Sequence, residues 1–322
     1  MNKDKTSFRE RLRSLPIIRQ VVIVLRKLKV PGLGGMSAYD LLDRYVVGII
    51  KGALTTRASG ISYSFFMAIF PFLLFILTLI PYIPIEGFQD TFTGFIEQVL
   101  PPKTYSAVQG VIDDIINTRY GGLLSFGFFG SIFLMANGVN AIFGSFEYSY
   151  HQVKARNVIR SYVTAVLISL LMSVFLIVTI SSIIALQYLL YYFQEHGWID
   201  NLSVWIDLGS QLIFVISVLL TVSILYYYGT REGKKQAFFS PGAIMTTLLS
   251  IGTIYLFGIY IEKFSRYNEL YGSIGTLMII MLFIWINSII LLLGFELNVS
   301  IFGLKQGNNL KKDSLPEIPA KN

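Results

Sequence analysis

The side chains of this chain that could do chemistry are a small polar set embedded in apolar sequence: Arg57, Asn137, Asn140, Glu147, Asn287, Glu296 and Asn298. An ionisable group at membrane depth is costly and marks a functional site by default. Spacing sorts the set. Asn140 and Glu147, seven residues apart, share a helix face, as do Asn287, Gly294 and Asn298, whereas Glu296 falls on nearly the opposite side of its helix from Asn287. Hydrolytic, redox and metal chemistry find no support. The chain has no cysteine, and its two histidines, His151 and His196, fall in different loops on opposite sides of the expected membrane. Asp113-Asp114 is the only acidic doublet, and adjacent helical residues diverge by about 100°. No metal-ligand spacing, nucleophile elbow or phosphate-binding glycine loop is present. We therefore expect no catalytic residue, no cofactor and no metal, and we expect the protein not to be an enzyme.

The elements that position these groups follow from composition. Of 322 residues, 54% are hydrophobic and 14% charged, and the mean hydropathy is +0.62, too apolar for an ordinary soluble domain. Six charge-free runs are long enough to cross a hydrocarbon core of about 30 Å: 58–85, 120–146, 161–194, 208–230, 236–261 and 270–295. The expected fold is all-α, a polytopic membrane protein of about six transmembrane helices. Lys and Arg number 22 on one set of alternating segments and 4 on the other, so the positive-inside rule places both termini in the cytoplasm. The net charge of +7 then reads as topology and attraction to the anionic headgroups of the bilayer, not as nucleic-acid binding. Three regions result: a basic cytoplasmic segment with interfacial helices over 1–57, a six-helix transmembrane domain over 58–303, and a polar cytoplasmic tail over 304–322.

Within this frame, Leu15 to Val30 has a rough apolar face suited to the inner leaflet, and Ser37 with Asp40 forms a capping box for a helix leading into the first span. Pro71 interrupts that span's hydrogen-bond ladder. Two apolar faces, Phe88 to Val99 and Tyr105 to Ile116, flank Pro101-Pro102 and predict an external helical hairpin between spans 1 and 2. It would serve as a lid, as a contact between copies in a homo-oligomer, or as packing on the bundle. Stripes of small residues, Ala136, Asn140 and Gly144 in span 2 and Gly242, Thr246, Ser250 and Thr253 in span 5, predict close helix approach, the latter beginning at a Ser240-Pro241 cap. Tyr226, Tyr227 and Tyr228 suit one aromatic belt, and Tyr188, Tyr191, Tyr192, Trp198 and Trp205 the other.

Two stretches carry a resemblance. Arg57 to Pro71, RASGISYSFFMAIFP, resembles the opening motif of the YihY/BrkB membrane proteins, and YGSIG at 271–275 with LLGFELN at 292–298 resembles the closing motif. The likeness spans about residues 40 to 303, with Phe295 standing where the family more often has a small residue. It implies a six-span inner-membrane protein. Members have carried the name ribonuclease BN or a virulence or serum-resistance label, and transport of lipid or envelope components has been suggested. The positions matched by motif are Arg57, Tyr63, Pro71, Gly272, Gly294, Glu296 and Asn298, and no catalytic role comes with them.

The expected function is transport or export of an amphipathic, lipid-like envelope component across the bacterial cytoplasmic membrane, with a non-enzymatic structural or partner-binding role as the alternative. A cluster of charges is expected at the cytoplasmic end. Glu147 and Glu296 there would oppose the helix dipole at C-termini and Arg57 would oppose it at an N-terminus, so the arginine would relieve one or both glutamates.

Overall fold

The computed structural model describes residues 37–82, 102–149, 157–199, 201–263 and 273–313, with 23, 25–29, 89 and 93–94. Ser37 caps the first helix, α1 (Ala38–Lys51), through the expected box: its Oγ accepts from Asp40 N at 3.3 Å, and Asp40 Oδ2 accepts from Ser37 N at 3.1 Å. α1 packs against the end of the chain's last helix and exposes Leu42, Val46 and Ile50 along its other side. Such an apolar row suits a helix lying in the headgroup layer.

Gly52 and Ala53 turn the chain into α2 (Leu54–Leu79), which runs through Pro71 and ends in a 3₁₀ turn at Ile80–Tyr82. Ala53 holds φ 46° and ψ 47°, the left-handed region that costs an L-residue roughly 1–2 kcal/mol. Ala53→Gly is therefore expected to stabilise the fold by about 1 kcal/mol, read as a rise in the midpoint of thermal unfolding in detergent.

After α3 (Pro102–Asn117) come α4 (Gly121–Glu147), α5 (Val158–Glu195), α6 (Leu202–Gly229), α7 (Pro241–Lys263) and α8 (Ser273–Asp313). All but α1 and α3 are long and apolar enough to cross a membrane, giving the six spans expected. α8 runs past residue 303, so the expected polar tail begins as a continuation of the last helix. The first arm of the expected external hairpin lies outside the described residues except at 89, 93 and 94, which are helical. The second arm is α3, and it packs on α2 through Ile112 and Ile116 while leaving Val111 to solvent. In a chain without native thiols, Ile112→Cys at 8% exposure is expected to resist a maleimide that labels Val111→Cys at 62%.

Each spanning helix contacts its neighbour in the chain, and α8 returns to α2, so the six form a closed ring. The α2–α4 contact depends on glycines other than those expected. Gly127 lies against the Phe75 backbone, Gly138 against the Phe65 ring and Gly130 near Pro71, whereas a side chain at Gly144 would meet nothing within 4 Å. The Ala136, Asn140, Gly144 stripe is buried at Ala136 and meets α5 at Asn140, but it is open at Gly144. The span-5 stripe does face its neighbour, with Gly242 and Thr246 set against Gly294 of α8.

The buried core occupies one end of the ring. Ala58 and Ile61 of α2, Val139, Ile142, Phe143 and Phe146 of α4, Ala165 of α5, Val222 and Tyr226 of α6, Ala243 of α7 and Leu292 and Phe295 of α8 meet there. Towards the other end the helices part into pairs. In α5 beyond residue 170 the shielded positions are mainly 172, 175, 179, 183, 186, 190 and 193, and in α6 they include 202, 206, 209, 213 and 217. Each set makes a single stripe at helical spacing, so this half of the hairpin packs on itself. Leu186 lies against Gly209, and Thr179 shares a 3.0 Å hydrogen bond with Ser217. Likewise α7 exposes Ile254, Tyr255, Leu256 and Ile259 and meets α8 through Phe257 on Phe283, with ring centroids 4.8 Å apart. At 38 residues α5 is about 57 Å long, well beyond a hydrocarbon thickness of about 30 Å, so it tilts or projects from the bilayer.

Candidate functional site at the closed end of the ring

Arg57 and Glu296 meet inside the closed end. Arg57 Nη2 donates to Glu296 Oε1 at 2.7 Å, with side-chain exposures of 7% and 0%. Arg57 Nη1 donates to Ser145 O at 2.7 Å, and Ser149 Oγ donates to Glu296 Oε2 at 3.0 Å, so three helices and the turn after α4 converge on one pair. Among the described residues, Arg57 Nε is buried without a hydrogen-bond partner. Gly52 lets the chain pass beside the pair: a Cβ there would stand 3.1 Å from Arg57 Nη2 and crowd Gly48 O. α1 covers the site with Tyr45, whose phenol is raised above its ordinary pKa by burial and then by the Glu296 carboxylate.

The dipole argument holds for two of the three charges. Arg57 lies in the first turn of α2, and Glu147 is the last residue of α4 and half-buried. Glu296 is different, because α8 continues to Asp313 and places it in mid-helix. The cause of its pairing is burial: a carboxylate with no exposed surface needs a counter-charge and hydrogen bonds to stay ionised.

The remaining polar residues separate into other contacts. Asn298 joins α7 to α8, with Oδ1 accepting from Gly242 N at 2.8 Å and Nδ2 donating to Ser240 Oγ at 2.8 Å. Ser240 in turn accepts from Ala243 N at 3.2 Å, the N-cap expected at Ser240-Pro241. Asn140 Oδ1 accepts from Ser161 Oγ at 3.1 Å and ties α4 to α5. Asn287 bonds Phe283 O of its own helix. Asn137 is half-buried and makes no side-chain hydrogen bond among the described residues. Tyr63 is exposed on α2, Pro71 stands in mid-helix, and Gly272 lies outside the described residues.

Gly294 allows a close approach of α8 to α7 and α6. A Cβ there would run into Thr246 Oγ1, Tyr226 OH and Gly242 O. Tyr226 OH donates to Leu291 O at 2.6 Å and lies 2.7 Å from Thr246 Oγ1. The aromatic-belt reading of three tyrosines is therefore corrected at Tyr226, which is 5% exposed and a core residue. Its place on α6 opposite a glycine and a threonine could not be seen from a run of three tyrosines. Phe295 does not open the packing: its ring stacks on Phe146 at 4.0 Å and 10°, and Phe146 fills the space left by Gly229. Ser145, Ser149 and Tyr226 were missed in the sequence because their partners lie on other helices.

Among the described residues no three His, Cys, Asp or Glu side chains gather to hold a metal ion. What the site can do is hold one buried charge pair between helices at the end where the ring is shut.

A ring of six long apolar helices with a buried ion pair at one end defines a multi-pass α-helical membrane protein. The chain belongs to the virulence factor BrkB family, whose model matches residues 48–315. It is 31% identical over 261 residues to YfkH of Bacillus subtilis (strain 168), described as a ribonuclease-like protein, covering 78% of this chain and 91% of that one. It is 23% identical over 256 residues to the UPF0761 membrane protein of Coxiella burnetii (strain RSA 493 / Nine Mile phase I), covering 74% and 84%. No solved structure matches the chain.

Proposed function

We propose that the protein moves an amphipathic, lipid-like envelope component across the cytoplasmic membrane of a bacterium. The observation that carries this reading is the uneven packing of the ring, sealed by the aromatic and ion-pair core at one end and parted into helix pairs at the other. The apolar faces exposed on the parted helices would offer a lipid tail a surface to follow, and the Arg57–Glu296 pair would bar passage where the helices meet. The positive-inside rule supports placing that closed end on the cytoplasmic side. Movement between the two faces would need the pair to part or shift, because a bistable element must change state for access to alternate. The ribonuclease-like description belongs to a relative, and it gains no support here, since the buried carboxylate is already bonded to Arg57 and Ser149.

The test is fluorescent-phospholipid movement in proteoliposomes, followed by quenching from outside. Movement that depends on the protein, with a rate that changes at least tenfold in Arg57→Gln, is the expected result. Rates equal to protein-free vesicles across zwitterionic and anionic lipids would defeat the transport reading and leave a structural or partner-binding role.

A further inference from the structure

A second polar feature lies on the flank of the ring, away from the ion pair. Arg160 and Thr164 of α5, Tyr228 at the end of α6, and Arg231 and Lys234 in the turn that follows line a cavity of about 410 Å³. Three of these five residues are cations and none is a carboxylate. All three cations are exposed, and among the described residues none forms a salt bridge, although Lys234 Nζ stands over the Tyr228 ring at 5.4 Å. Glu232, the acidic residue of the same turn, is not part of the lining. Like charges converging on one cavity repel one another and raise the local concentration of anions.

The surface leading away from the cavity is apolar. Arg160, Thr164, Leu167 and Leu171 follow at i, i+4, i+7 and i+11 and so share one face of α5. Leu167 is 62% and Leu171 44% exposed. Thr164 Oγ1 donates to Arg160 O at 2.8 Å, which leaves its methyl group to continue the apolar strip.

We propose that this cavity binds the phosphate of an anionic phospholipid, with an acyl chain lying along Leu167 and Leu171. Arginine forks match phosphate oxygens, and Lys234 adds a point charge held by the Tyr228 ring. The leucine strip distinguishes a lipid from free phosphate, because only a lipid covers both the cations and the apolar flank. This inference does not rest on the transport reading, and the bound lipid need not be the cargo.

The experiment uses the full chain in neutral detergent, titrated with phosphatidylglycerol, phosphatidylcholine or inorganic phosphate, with bound molecules counted by native mass spectrometry. Phosphatidylglycerol is expected to bind at least tenfold more tightly than phosphatidylcholine, and equimolar inorganic phosphate is expected not to displace it. Changing Arg160→Gln, Arg231→Gln and Lys234→Gln together removes three surface charges without touching the core, and is expected to weaken phosphatidylglycerol binding about a hundredfold. Arg160→Lys with Arg231→Lys, which keeps the charge, should stay within about tenfold of the parent. Equal binding of the two lipids, undiminished phosphatidylglycerol binding in the glutamine variant, or displacement by inorganic phosphate as effective as by lipid would each overturn the proposal.

Discussion

Arg57→Gln is expected to destabilise the protein by about 3 to 5 kcal/mol, because it leaves the fully buried Glu296 carboxylate with Ser149 as its one described hydrogen-bond donor. Glu296→Gln is expected to cost a similar amount by stranding the guanidinium, whose Nη1 bond to Ser145 O cannot neutralise a whole charge. The pair itself need not add net stability, since desolvating two charges offsets most of their attraction. Its contribution is to geometry: it fixes α2, α8 and the end of α4 relative to one another. With both residues changed to Gln, no charge is left stranded. The double variant is therefore expected to lose about 2 kcal/mol less than the two single losses summed, a coupling readable in a double-mutant cycle on unfolding in detergent. Losses that simply add would show that the two side chains do not act as a pair.

Gly294→Ala carries the other large effect. The added methyl would overlap Thr246 Oγ1, Tyr226 OH and the backbone oxygen of Gly242, and the last of these cannot swing aside. Separating α7 from α8 would also stretch the bonds from Asn298 to Gly242 and Ser240. Overpacking usually costs 1–3 kcal/mol, and contact with backbone puts this site at about 3 kcal/mol or above. Gly144→Ala is the internal control. Nothing lies within 4 Å of a Cβ there, so relief of glycine's poor helix propensity is expected to leave stability unchanged or raise it by up to about 1 kcal/mol. Thermal midpoints of the two variants in one detergent provide the comparison. Equal midpoints would mean that the α7–α8 seam yields easily.

The contrast between these two glycines marks the boundary of what spacing can reveal. Both stand in stripes of small residues or in a matched motif, yet one is pressed on three atoms and the other faces open space. Likewise three adjacent tyrosines invite one reading, and only Tyr226 is turned into the core.

What the sequence determined by itself is the part governed by solvent and by local geometry. Long uncharged runs must be helices in lipid because every backbone polar group there needs an internal partner, and six spans result. The Ser37–Asp40 box and the Ser240 cap formed as expected because their partners lie within three residues. The conflict of Arg57 with its helix dipole also called for a counter-charge, and the one it meets is Glu296. The tertiary structure decided the rest: that Glu296 is buried in mid-helix instead of at a helix end, that Ser145 and Ser149 complete its contacts, and that Asn298 clamps α7. It also decided that the ring packs at one end and parts at the other. Arg57 and Glu296 are 239 residues apart. In a bilayer that treats every apolar face alike, which helices become neighbours depends on shape and on the few polar contacts between them, and neither is carried by the periodicity of a single helix.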